Sequence, residues 1–105
     1  MTENSKHFEN SLKELKSFYL VKIKEEITYF DKILKTTITK EMLEDLQAKV
    51  HKLSGSAGMY GFAELSSITH EFDLELQEIL KKDFNLYVDD IKDKICGIIN
   101  IMDVL

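Results

Sequence analysis

The chemistry in this sequence centres on the imidazole of His51. It lies in the stretch His51-Lys52-Leu53-Ser54-Gly55-Ser56-Ala57-Gly58-Met59-Tyr60-Gly61-Phe62. A neutral imidazole nitrogen is a competent nucleophile near neutral pH. The stretch has a helical pattern yet holds glycines at 55 and 58, each of which costs an isolated helix about 1 kcal/mol relative to alanine. At about 100° per residue, Leu46, Val50, Leu53 and Ala57 share one face. His51 points away from that face, with Gln47, Ser54, Gly55 and Gly58 around it. The arrangement is an imidazole in a clearing of small side chains on the solvent side of a helix.

The elements that must position it follow from apolar spacing. A first helix is expected from about Lys6 to Leu34, with Phe8, Leu12, Leu15, Tyr19, Ile23, Ile27, Phe30 and Leu34 on one stripe. Phe18, Leu20 and Val21 widen the stripe mid-way, so this helix is expected either to bend or break there or to touch two neighbours. The Thr-rich segment Lys35–Lys40 reads as a link, and Thr39 as the N-cap of a second helix. That helix carries Met42, Leu43, Leu46, Val50, Leu53, Ala57 and Tyr60, and Gly61 is its left-handed stop. A third helix, Phe62–Leu80, aligns Phe62, Leu65, Ile68, Phe72, Leu76 and Ile79. Folding back at Gly61 brings Phe72 and Asp73 level with His51. Asp83 is expected to cap a last helix bearing Phe84, Val88, Ile91, Ile95, Ile98, Met102 and Leu105. Four amphipathic segments with short links predict an all-α, antiparallel four-helix bundle in one domain, residues 1–105.

Composition narrows the function. The 105 residues suffice for one modest core. Net charge is -5, all basic residues are lysine, and no basic run forms a nucleic-acid footprint. No signal peptide and no apolar run of membrane-spanning length are seen. The single Cys96 suits a reducing cytoplasm and reads as helix filler. His7, His51 and His70 share no metal-ligand spacing, so no metal site is expected. Lys13, Lys16, Glu25 and Glu26 read as a solvated helix face.

The HKLSGSAGMYGF string resembles the histidine-containing phosphotransfer (HPt) domain of bacterial and fungal phosphorelays. His51, Leu53, Gly55, Ser56, Ala57 and Gly61 match the family pattern, whereas Ser54 stands where a lysine is frequent. The resemblance implies a phospho-acceptor at His51 that takes a phosphoryl group from a receiver-domain aspartyl phosphate and passes it to another receiver. It implies response-regulator receiver domains as partners, with a hybrid histidine kinase as a further candidate. The chain is then a cytoplasmic monomer with no cofactor of its own, any magnesium being held by the partner receiver. It lacks a P-loop, a kinase glycine-rich loop and paired acidic magnesium ligands, so it is no kinase by itself.

Supporting roles are assigned as expectations. Gln47 or Asp73 hydrogen-bonds one ring nitrogen of His51 and sets the tautomer. Lys52, if its chain curls back, or Ser54 compensates for the absent lysine. Gly55 and Gly58 keep the clearing open, and Met59 belongs to an apolar docking patch or packs under a neighbouring segment. The alternative is a non-catalytic helical interaction module that docks on a receiver or kinase and regulates it; a helical adaptor without any phosphorelay connection is a third reading. Acid-labile phosphate at His51 distinguishes the first from both.

Overall fold

The computed structural model describes residues 2–105, with side chains described for residue 11 and for residues 13–105. Helix α1 spans Thr2–Leu34, α2 Lys40–Met59 and α3 Ala63–Ile79; a 3-10 turn over Phe84–Tyr87 leads into α4, Val88–Asp103. Helix α2 packs on α3, and α4 packs on both α1 and α3. This is the expected all-α four-helix bundle. The expectations for the side chains of Phe8 and Leu12 lie outside the described residues.

The stripes read from the sequence form the core. Leu43, Leu46, Val50, Leu53 and Ala57 of α2 are buried, as are Leu65, Phe72, Leu76 and Ile79 of α3 and Ile91, Ile95, Ile98 and Met102 of α4. Helix α1 adds Tyr19, Ile23, Phe30 and Ile33, and the link adds Ile38. Removing such side chains from water stabilises the fold by about 1.5–3 kcal/mol each. Their more important effect here is rotational: they fix which way each helix faces.

Helix α1 is a single unbroken helix that touches two neighbours, α4 and α2, so the second of the two expectations for its middle holds and the break does not. Phe18 and Val21 nonetheless stay exposed, Phe18 at 73 %. Tyr19 stacks on Tyr60 at 4.5 Å and on Phe62 at 5.7 Å, which seats α1 against the α2–α3 turn. The helix runs on N-terminally past that turn, and the molecule reaches 58 Å in its longest dimension. A polar strap also joins α1 to α2. Tyr29 donates to Asp45 at 2.7 Å, and Lys49 lies 4.2 Å above the Tyr29 ring while bridging Glu26 at 3.2 Å. Glu26 is therefore part of a helix–helix contact rather than only a solvated face.

The α2–α3 hairpin is built as the sequence predicts. Thr39 accepts a hydrogen bond from the Met42 amide at 3.2 Å and caps α2. Gly61 has φ +84°, the left-handed conformation that side chains disfavour. The amides of Phe62 and Gly61 then close back on the carbonyls of Ala57 and Gly58 at 2.8 and 3.2 Å. These paired bonds are a Schellman stop, which satisfies carbonyls left free at the helix end. Asp83 differs from expectation. It caps the 3-10 turn through Asn85, at 3.2 Å to the amide, and α4 begins at Val88. Phe84 still packs against the core from within that turn.

Candidate functional site

With Val50 and Leu53 turned inward, the next position on α2 must face the margin between α2 and α3, and His51 stands there. Its side chain is 71 % exposed. Phe72 and Leu76 fix α3 in the same way and leave Asp73 at the facing margin. The Asp73 side chain is only 4 % exposed, and its Oδ2 lies 2.7 Å from His51 Nδ1. The expectation that the two residues stand level across the hairpin is met.

Burial of a carboxylate disfavours its charged form, but Asp73 does not stand alone. Its Oδ1 accepts from Gln47 Nε2 at 2.7 Å and from Gln77 Nε2 at 3.1 Å, while Oδ2 meets His51. Burial pushes the Asp73 pKa up; hydrogen bonds from Gln47, His51 and Gln77, with the charge of His51 added, outweigh it and hold the pKa below the ordinary 3.8. Asp73 is thus ionised near neutral pH and can only accept. The proton in the His51–Asp73 bond belongs to Nδ1, and the neutral ring carries its free lone pair on the outward Nε2. This tautomer follows from the hydrogen-bond network.

The other candidates separate by what they touch. Gln47 does not bond the imidazole; it acts one step back, on Asp73. Gly55 lies one turn after His51, and a Cβ built there meets nothing within 4 Å, as the clearing requires. Gly58 does not serve the clearing alone. A Cβ there would lie 3.0 Å from Ser66 Oγ, which donates to the Ser54 carbonyl at 2.9 Å, so Gly58 admits the close approach of α3. Ser54 is half-buried, and its hydrogen bond to α3 is made by its backbone.

Lys52 lines a groove of about 630 Å³ between α1 and α2, together with Phe18, Tyr19, Lys22 and Lys49. Met59 is 80 % exposed and packs under nothing. His70 is exposed on α3 and Cys96 on α4, while the side chain of His7 lies outside those described. Among the described residues no group of three or more metal-ligating side chains occurs, and no helix is long and apolar enough to cross a membrane.

Gln77 was not singled out by the sequence. A signal existed: Asp73 and Gln77 are four apart on one helix, a spacing at which an amide and a carboxylate meet. Nothing in the sequence indicated that the pair would matter until Asp73 was known to be buried.

The site is thus a helical hairpin that presents an exposed imidazole to solvent, with its Nδ1 tied to a buried carboxylate. The family model of the Hpt domain matches residues 9–94, and the chain belongs to that family, whose members carry out histidine phosphotransfer in phosphorelays. No curated protein and no solved structure matches the chain.

The anchoring of Asp73 has a pH signature. Because its folded-state pKa lies below the ordinary 3.8, its ionisation contributes stability above that pH, and the contribution is lost as pH falls through the folded-state value. Asp73→Asn is close in shape to the protonated acid. Urea denaturation of wild type and Asp73→Asn should therefore show a stability gap at pH 6 that narrows steadily below about pH 4. A gap that does not change on acidification would mean that the Asp73 charge contributes nothing to the fold.

Proposed function

We propose that His51 is the phospho-acceptor of this domain and that Nε2 is the accepting atom. The reading rests above all on one observation, the 2.7 Å bond that ties Nδ1 to a buried carboxylate while the rest of an exposed ring faces solvent. The donor is the aspartyl phosphate of a response-regulator receiver domain. The Nε2 lone pair attacks phosphorus, the bond from phosphorus to the aspartyl oxygen breaks, and the receiver carboxylate leaves with that electron pair. The proton on Nδ1 stays where it is. The ring becomes an N-phosphorylated imidazolium, and Asp73 lies against the positive charge as it develops. Passage to a second receiver runs the same step backwards, with a neutral Nδ1–H imidazole as leaving group.

On this reading the protein is a carrier, acting as a monomer in the cytoplasm, and magnesium belongs to the receiver. Gly55 leaves room for the receiver to approach Nε2, and Met59 adds an exposed apolar contact one turn beyond it. Lys52, which lines the groove beside α1, does not stand in for the lysine frequent at position 54. Ser54 offers a hydroxyl to a phosphoryl oxygen but no charge.

Two variants test the proposal. His51→Gln should keep its helical content, because the side chain is exposed, and should take no label from a phosphorylated receiver. Equal labelling of this variant, or wild-type label that survives mild acid, would falsify the assignment.

Gly55→Gln separates stability from access. Replacing a helix-interior glycine in open space should leave the domain as stable or up to about 1 kcal/mol more stable. The added side chain would occupy the approach to Nε2, where a displacement of about 1 Å can cost on the order of a hundredfold in rate. Thermal unfolding and transfer rate measured on one preparation should show an undiminished melting temperature and much slower transfer. Unchanged transfer would remove Gly55 from the docking surface.

A further inference from the structure

Gln77 sits one turn after Asp73 on α3 and is exposed. Its amide nevertheless reaches inward to Asp73 Oδ1 at 3.1 Å, where Gln47 arrives from α2 at 2.7 Å. Two donors from two helices thus converge on one carboxylate oxygen. Each carboxylate oxygen has about two acceptor sites, so Oδ1 is fully engaged and Oδ2 is left for His51. The final torsion of an aspartate side chain is broad and roughly two-fold. Three contact points, rather than the torsion, define the carboxylate plane.

Loss of this grip has a specific chemical consequence. With one donor removed, the carboxylate is free to turn about its final torsion, and Oδ2 no longer sits squarely on Nδ1. A neutral ring that loses its acceptor at Nδ1 returns to the tautomer mixture of free imidazole, in which the Nε2–H form is well populated. The outward nitrogen then has no lone pair for phosphorus. An ordinary helix-surface amide would have no such effect, because its bond would matter only to α3.

We infer that Gln77 is a positioning residue that acts with Gln47 through Asp73 to hold His51 in the Nδ1–H tautomer, with Nε2 as the outward nucleophile. The inference rests on the proposed transfer at Nε2, but its primary readout is independent of transfer. That readout is the tautomer of the neutral His51 ring in the intact 15N-labelled chain, taken from long-range proton–nitrogen correlation spectra. Wild type should show the Nδ1–H form almost alone. Gln77→Leu, which removes the donor but keeps the bulk, should fold as wild type and show a measurable Nε2–H population. Gln77→Ala, with its high helix preference, serves as the second variant should leucine perturb the fold. Combining either change with Gln47→Leu should shift the ring further.

Transfer is read alongside, from a receiver domain charged with acetyl phosphate. The single variant should accept phosphate about tenfold more slowly, the factor that corresponds to one hydrogen bond to a charged group. A wild-type tautomer ratio in both Gln77 variants would overturn the inference. So would a slower rate with an unchanged tautomer, which would make Gln77 a contact for the receiver. If wild type itself accepts no phosphate, the functional proposal falls, while the tautomer comparison still decides the role of Gln77.

Discussion

A carboxylate removed from water must find its hydrogen bonds within the protein, and the site of this domain is organised around that requirement at Asp73. The acid could not remain ionised at the α2–α3 margin without donors, and the donors come from both helices. Their spacing demands that α2 and α3 be antiparallel, closely packed and in one register. The Schellman stop at Gly61 sets that register, and the inward stripes of the two helices set their rotation. Close approach depends on Gly58, opposite Ser66. Register, rotation and close approach together bring one buried anion and one exposed imidazole to 2.7 Å.

On the proposed reading, the same geometry lets the domain take part in phosphoryl chemistry without enclosing the reacting group. In the proposed step the imidazole needs no proton acceptor, because the proton on Nδ1 does not move and the Nε2 lone pair is already exposed. What the domain supplies is orientation and an anion behind the developing charge. What it withholds is bulk: Gly55 leaves open space beside the ring. The two glycines of the α2 run, similar in sequence, therefore differ in surroundings, one bordering open space and the other the neighbouring helix.

Much of this was legible in the sequence, and the boundary of legibility has a physical cause. Periodicity placed Val50 and Leu53 inward and hence His51 outward, and Gly61 and Thr39 marked the ends of α2, because these are local properties of a helix. The pairing of His51 with Asp73 followed from folding the chain back at one glycine. Tertiary contacts were less accessible. Gly58 looked like Gly55 because a wheel cannot show that Ser66 stands opposite. Lys52 was a candidate substitute for the absent lysine, and a wheel could not show that it borders the groove beside α1. Phe18 and Val21 suggested a break in α1 because apolar residues imply neighbours, yet here they stay in solvent. Gln77 was invisible because the importance of an amide four residues from an aspartate depends on how deeply that aspartate is buried.

The central claim is that Asp73 occupies Nδ1 so that phosphate is carried on Nε2, and the most direct test is the identity of the phosphorylated atom. The 15N-labelled chain, charged from a phosphorylated receiver, can be observed by nitrogen–phosphorus coupling in the His51 ring. The account predicts coupling at Nε2, with Nδ1 still bearing its proton. Coupling at Nδ1, or phosphate on any residue other than His51, would contradict it.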